Sequence, residues 1–199
     1  MRVLSQARPQ GNAMNIKIDA LNYYGATKKY HLHFPALRED IEADVVIIGG
    51  GASGLMAAIW ASRLGAAVTV LEKNDKPGRK LLATGNGRCN FTNRYQDASC
   101  YRTGNQERAS RVLEQFTEQD TEQFFEQLGI RIRSREGWLY PASEQAQSVL
   151  ELLILEARFR KVKIKTRETA VAVEKAENGY LVRTEGWQYP ADSVIICCG

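Results

Sequence analysis

Hydrophobic and polar positions change period several times along this chain, and each change marks an element. Val45 to Ile48 is continuously apolar, which predicts a strand buried on both faces. Gly49-Gly50-Gly51-Ala52-Ser53-Gly54 follows, then a helix-like run carrying the small Ala58, stopped at Gly65. Val68 to Leu71 is a second, largely apolar strand, ending on Glu72. Strand, glycine-rich turn, helix and strand in this order form a βαβ start.

Beyond it, Asn74 to Asn93 is punctuated by Pro77, Gly78, Gly85 and Gly87 and reads as loop, with Arg79 and Lys80 opening a short helix. Helical spacing returns in Val112, Leu113 and Phe116, then in Phe124, Phe125 and Leu128, ended by Gly129. A Thr/Asp cap between Thr117 and Asp120 breaks this run into two helices, and Phe116, Phe124 and Phe125 are assigned to the core. Ile130 to Tyr140 reads as a β pair turning at Glu136-Gly137. Pro141-Ala142-Ser143 leads into a helix over 144–160, with Ser143 as N-cap and Val149, Leu152, Leu153 and Leu155 on its apolar face. Val162 to Ile164 is a short strand. Ala170 to Glu174, Tyr180 to Thr184 and Gln188 to Pro190 form a β-meander with an Asn178-Gly179 turn, and Ser193 to Cys198 is a further apolar strand. Residues 1–42 are an extension of unassigned role: Arg2 to Gly11 is polar and expected to be disordered, and Ile16 to Pro35 alternates without a clear register.

Composition excludes more than it assigns. Of 199 residues, 44% are hydrophobic and 25% charged, an ordinary balance for a globular protein. The net charge of +4 is mild, and no long basic tract with interleaved aromatics stands out, so no nucleic-acid partner is expected. Arg158, Arg160, Lys161, Lys163, Lys165 and Arg167 cluster, which reads as a helix end and an exposed strand face. No run of 18 apolar residues is present, and the N-terminus lacks the apolar core of a signal peptide, so a cytoplasmic, membrane-free protein is expected. Cys89, Cys100, Cys197 and Cys198 form no C-x-x-C, and His31 and His33 have no apparent third ligand, so no metal site and no disulfide is expected.

Chemistry is concentrated at the first turn. Gly49, Gly51 and Gly54 make G-x-G-x-x-G between a strand and a helix. The first glycine permits a sharp turn, the second lets the backbone approach a pyrophosphate, and the third lets the helix lie close to the sheet. The helix start offers unpaired N–H groups and a partial positive charge. Glu72 lies 18 residues beyond Gly54, where its carboxylate can accept ribose hydroxyls and would repel a 2′-phosphate, disfavouring NADP at this site. The motif does not separate FAD from NAD. The element order as a whole matches, by fold-level analogy, an α/β, Rossmann-like FAD-binding domain of glutathione-reductase type with a parallel sheet plus a β-meander, incomplete at the C-terminus.

A second run, Pro77 to Asn93 (PGRKLLATGNGRCNFTN), crowds Arg88, Cys89, Asn90 and Asn93 into one turn beside two glycines flanking Asn86. Such a turn offers amide donors to an anionic or heteroaromatic ligand. With Gly49–Ala58 (GGGASGLMAA), Leu71–Asn74 (LEKN) and Gly137–Pro141 (GWLYP), this chain resembles the bacterial flavoproteins described as NAD(P)/FAD-dependent oxidoreductases, some labelled aminoacetone-oxidase-like. The resemblance covers residues 43–199, taken as one FAD-binding domain.

The resemblance implies FAD as the resident dinucleotide. It places Gly49, Gly51, Ala52, Ser53 and Gly54 at the diphosphate, Glu72 at the adenosine ribose and Lys73 beside the adenine. Arg79, Lys80 and the loop of Thr84, Gly85, Asn86, Gly87, Arg88, Cys89 and Asn90 would run towards the flavin. Val171 corresponds to a backbone contact with the adenine, against the plain alternative of a buried strand residue. Where the family continues with Ala-Thr-Gly and a long second half, this chain has Cys197-Cys198-Gly199, so it is expected to be the N-terminal half of a longer flavoprotein. The expected function is the FAD-binding part of a flavin-dependent oxidoreductase, with NAD(P)H or oxygen as redox partner and an unnamed small-molecule substrate. The alternative is a dinucleotide-binding module without turnover. No catalytic residue is assigned. Cys89 is the one thiol placed near the flavin, and it has no resolving partner at short spacing.

Overall fold

A computed structural model describes residues 2–3, 16–17 and 43–198, with side chains from residue 43 onward. His31, His33 and most of the 1–42 extension lie outside the described residues. The chain forms two compact units, Met1–Gly78 with Leu155–Gly199, and Arg79–Ile154.

The first unit is built on one sheet. Its strands are β1 (Arg2–Val3), β2 (Ile16–Lys17), β3 (Ala43–Ile48), β4 (Val68–Glu72), β8 (Lys163–Thr166), β9 (Ala170–Ala176), β10 (Gly179–Thr184) and β11 (Gln188–Ile196). Their order is β2-β9-β10-β11-β3-β4-β8, with β1 beside β11. The β11-β3, β3-β4 and β4-β8 pairs are parallel; β9, β10 and β11 form the antiparallel meander. All five residues of β4 are buried, Thr69 and Glu72 among them, as are Val46, Ile47 and Ile48 of β3, which accounts for the unbroken apolar run of β3 and the largely apolar β4. On the edge strand β8, Lys163 and Lys165 are exposed and leave Ile164 half-buried. Charge at an open edge discourages pairing with another chain, so the basic cluster is the helix end and strand face expected of it.

Helix α1 (Ala52–Arg63) joins β3 to β4, burying Gly54, Leu55, Ala57, Ala58 and Ile59. Its Arg63 reaches Glu156 at 3.2 Å on the last turn of α5 (Ala146–Phe159), where Arg160 holds the same carboxylate at 2.8 Å.

Several expectations are corrected. The third meander strand and the returning strand are one: β11 pairs antiparallel with β10 up to Ala191 and parallel with β3 from Ala191 onward. Pro190, which cannot donate a ladder bond, pairs with Leu181 just before the β3 pairing starts, so its missing N–H is not demanded. The residues linking β9 to β10 are Glu177 and Asn178, since Gly179 (φ +112) already pairs with Ala176. Arg2–Val3, expected to be disordered, pairs with Ile195 and Ile196 on the side of β11 that β10 has left.

The second unit carries α2 (Arg79–Ala83), β5 (Thr92–Asn93), α3 (Gln106–Gln115), α4 (Glu118–Gln127), β6 (Ile132–Arg135), β7 (Trp138–Pro141) and most of α5. The three strands form an antiparallel sheet in the order β5-β7-β6. The break between α3 and α4 is a full capping box: Thr117 Oγ1 accepts the Asp120 N–H, and the Asp120 carboxylate accepts the Thr117 N–H. Phe124 and Phe125 are core, and Phe91 stacks on Phe125 at 4.1 Å. Phe116 is not core; it ends α3 at 38% exposure because α3 buries none of its residues. Helix α5 starts at Ala146, two residues later than expected. The Ser143 hydroxyl accepts Gln145 N ahead of the helix and meets the Ser148 hydroxyl in its first turn, and so is not its N-cap. Of the α5 apolar face, Val149 and Leu153 are buried but Leu155 is 61% exposed. No helix among the described residues is long and apolar enough to cross a membrane.

Candidate functional site

The C-terminal ends of three parallel strands converge on Gly49. Gly49 N donates to Leu71 O at 2.8 Å on β4, and Cys197 N, just past β11, donates to Ile48 O at 2.7 Å. Gly49 sits at φ +100, and a Cβ there would lie 2.6 Å from Cys197 O. Two independent constraints therefore exclude a side chain. At Gly54 a Cβ would lie 1.8 Å from Gly49 O and 3.6 Å from Cys197 Cβ. The third glycine thus lets the first turn of α1 close on the glycine turn itself as well as on the sheet. Gly51 is the opposite case: a Cβ there would meet nothing within 4 Å. Its glycine is unexplained by protein packing and suits a ligand approaching the backbone.

Helix α1 begins at that open point. Gly51 is its N-cap, no side chain caps it, and no acidic residue lies in its first turn. Its leading amides are oriented for an anion. Ala52 and Ser53 are exposed, and Ser53 also bonds the Cys197 thiol, which burial pushes above the usual thiol range.

Glu72 is 6% exposed and is tied into the loop. Its Oε2 accepts Gly50 N at 2.8 Å, while Oε1 accepts Asn74 N at 2.8 Å and Asn74 Nδ2 at 2.5 Å. Gly78 N closes the other side of the turn on Gly50 O at 2.8 Å. Lys73 beside it is exposed. Val171 occupies a register shift: Arg183 pairs with Ala172 and Thr184 with Ala170, so the β10 ladder skips Val171. A bulged backbone of this kind is left available for other contacts.

The second run of expected residues lies in the second unit. Arg79 and Lys80 are exposed on α2. Gly85 (φ +54), Asn86 (φ +54) and Gly87 (φ +81) are all left-handed, and Cys89 is at φ +60. A Cβ at Gly85 would lie 2.9 Å from Asn90 N, so this turn has room for no side chain at that position. Asn90 works as a clamp, its Nδ2 donating to Thr92 O and Leu139 O, both at 3.0 Å. Thr84 Oγ1 donates to Leu81 O at 2.6 Å, and Cys89 N donates to Thr84 O at 3.0 Å. The Cys89 thiol is buried, and that burial raises its pKa against the opposing bond to the Thr84 side chain. Arg88 donates through Nε to Gly85 O at 3.3 Å, with its guanidinium 5.6 Å from the Tyr140 ring.

The expected residues thus divide into two sets, one in each unit. Four residues of these sites were not singled out as ligand contacts: Asn74, Gly78, Tyr140 and Cys197. Asn74, Gly78 and Tyr140 all stand inside the quoted motifs LEKN, PGRKLL and GWLYP, which was the available signal. A cavity of about 500 Å3 also opens in the second unit, walled by Phe91, Tyr101, Leu113 and Phe116. None of the expected cofactor residues lines it. Among the described residues no cluster of histidine, cysteine and acid side chains could hold a metal ion.

Comparison with known proteins identifies the family and the fold. The family model described as HI0933-like protein Rossmann domain matches residues 43–199. The chain is 50% identical over 155 residues to the 3-dehydro-bile acid delta(4,6)-reductase of Clostridium scindens, covering 77% of this chain and 38% of that protein. It is 31% identical over 157 residues to the ribosomal RNA dihydrouridine synthase of Escherichia coli, covering 78% and 39%. The chain therefore spans about two fifths of the length of these curated relatives. The solved structure of the 3-ketosteroid-delta4-(5alpha)-dehydrogenase of Rhodococcus jostii shares the fold, with a TM-score of 0.56 at 15% identity over 78% of this chain and 45% of that one. Residues 43–199 belong to the HI0933-like Rossmann-domain family and form a FAD-binding, Rossmann-like domain.

Proposed function

We propose that this chain holds FAD with Gly49, Gly51, Ala52, Ser53 and Gly54 at the diphosphate, and that the protein it represents reduces a carbon–carbon double bond conjugated to a carbonyl. The observation that carries the binding assignment is Gly51: its open Cβ position stands at the uncapped start of α1. Glu72 would accept the adenosine ribose through carboxylate lone pairs left over from Gly50 and Asn74. Lys73 and the Val171 backbone would flank the adenine. Arg79, Lys80 and the Thr84–Asn90 turn would lie along the flavin side.

The reaction class comes from the relatives. A 3-dehydro bile acid with a Δ4 double bond is a conjugated ketone, and the uracil ring that becomes dihydrouracil carries its double bond conjugated to a carbonyl. Reducing a carbon–carbon double bond conjugated to a carbonyl adds two electrons and two protons across it, and the polarisation by the carbonyl favours hydride at the remote carbon and a proton at the nearer one. FAD, when bound and reduced, supplies that two-electron chemistry; the protein supplies orientation and exclusion of water. NAD(P)H is the proposed electron source and the cytoplasm the proposed compartment, with residues 1–42 an extension to the 43–199 domain.

The test is the visible spectrum of the purified chain after loading with FAD, then NAD(P)H oxidation with a conjugated cyclic enone. Flavin bands near 1:1 with enone-dependent turnover support the whole reading. Flavin bands without turnover leave a binding module. A chain that takes up no FAD overturns it.

A further inference from the structure

At the end of the parallel strands opposite the glycine turn, α1 and α5 finish side by side before β4 and β8 begin. Arg63 of α1 and Arg160, just past α5, both hold the Glu156 carboxylate, at 3.2 and 2.8 Å, which ties the two helix ends together. Beside that tie, large apolar side chains face outward. Leu64, the C-cap of α1, is 85% exposed, and Phe159, the last residue of α5, is 76% exposed. Trp60 and Leu155 stand one turn back on the same helices and are exposed too. Residues four apart share a helix face, so each helix end presents an apolar stripe away from the core. Single exposed apolar residues are ordinary; a pair on each of two joined helix ends is a patch.

The charge beside the α5 end is positive. Arg158, Arg160, Lys161 and Lys163 are exposed between the last turn of α5 and the start of the edge strand β8. Helix α1 contains no acid, and Glu156 is shared between two arginines. Exposed acids at this end of the sheet, such as Asp44 and Asp192, stand on β3 and β11, with β4 between them and β8. Apolar side chains flanked by cations match an anionic bilayer, whose phosphates overlie acyl chains. Lysine and arginine stems lie along apolar surface while their charged heads stay with phosphate. A tryptophan at the rim suits the headgroup level.

We propose that this end of the first unit seats the protein on the surface of an anionic lipid bilayer, with Leu64 and Phe159 entering the headgroup boundary and Arg158, Lys161 and Lys163 against lipid phosphates. The expectation of a membrane-free protein followed from the lack of an apolar run long enough to span; lying on a surface needs none. The glycine turn stands at the far end of the same strands, so the cofactor residues of this unit face away from the lipid. The proposal stands independently of the cofactor assignment, because binding is read without turnover.

The experiment is co-sedimentation of the full 199-residue chain with vesicles of phosphatidylglycerol and phosphatidylcholine, against phosphatidylcholine alone, across a salt series. The expected result is binding to the anionic vesicles that weakens with salt. A blue shift of tryptophan emission should accompany it, which W60F removes and W138F leaves. K161Q and K163Q should each weaken binding about fivefold. L64S combined with F159S should weaken it at least about tenfold. FAD uptake and the melting temperature of these variants should match wild type. No binding to anionic vesicles at low salt overturns the proposal, as does binding indifferent to both the charge and the apolar variants. A dimer that L64S and F159S dissociate, in a chain that ignores vesicles, overturns it too and makes the patch an interface between copies.

Discussion

The buried carboxylate of Glu72 accepts the backbone N–H of Gly50 at 2.8 Å, tying the acid at the end of β4 to the glycine turn at the end of β3. The acid is thus part of the turn's structure before any ligand arrives. Glu72→Gln keeps the shape but replaces one acceptor oxygen with a donor, which faces either Gly50 N or Asn74 N. A buried group left unsatisfied costs about 1–3 kcal/mol. E72Q should lower the unfolding free energy by about that amount and weaken FAD at least tenfold, read by denaturant melts and flavin fluorescence titration. Unchanged affinity would remove Glu72 from the ribose site.

Gly51 and Gly54 should fail differently. Gly54→Ala drives a methyl to 1.8 Å from Gly49 O and should prevent correct folding of the first unit. Gly51→Ala places a methyl in open space and should leave the melting temperature within a few degrees of wild type while abolishing FAD uptake. A G51A chain that binds FAD normally would move the diphosphate away from this turn.

Cysteine labelling separates packing from chemistry. Cys89 and Cys197 are buried thiols held above the ordinary range by that burial, whereas Cys100 is exposed. With iodoacetamide at mildly alkaline pH, mass spectrometry should find Cys100 modified well before Cys89 or Cys197. Rapid alkylation of Cys89 would instead mark it as a reactive thiol.

The Thr117 cap has its own test. Thr117→Ala removes the acceptor for Asp120 N and should cost about 1 kcal/mol in urea unfolding. The Asp120 carboxylate, held below its usual range by bonds from Thr117, favours the folded state above the ordinary carboxylate pKa. That contribution fades as pH falls through the folded value. T117A should therefore narrow the difference between neutral and acidic stability.

Tyr189 is buried, and burial followed by the nearby Glu168 carboxylate pushes its hydroxyl above the usual tyrosine range. A group with a raised folded pKa supports the fold fully below its unfolded value, about 10 for tyrosine, and loses that support as pH rises towards the folded one. Ultraviolet titration should show one tyrosine silent until alkaline unfolding, and Tyr189→Phe should remove that feature.

Local order and period carried much of this protein in the chain itself. The apolar run of β3 and the largely apolar β4, the glycines between them, the Thr117–Asp120 cap and the Glu136-Gly137 turn depend on neighbours within a few residues, so their chemistry is legible in one dimension. Four things were decided only by tertiary structure. Pairing on both sides merged two expected strands into β11, because Ala191 is where one neighbour hands over to the next. Exposure of Phe116 and Leu155 depended on whether anything packs over them, which spacing along a helix does not specify. The tie from Glu72 to Gly50 and the grouping of Trp60 and Leu64 with Leu155 and Phe159 depend on which strand and helix ends meet. Bonding within a segment is written in adjacent residues; the apposition of distant ones arises only when the sheets assemble.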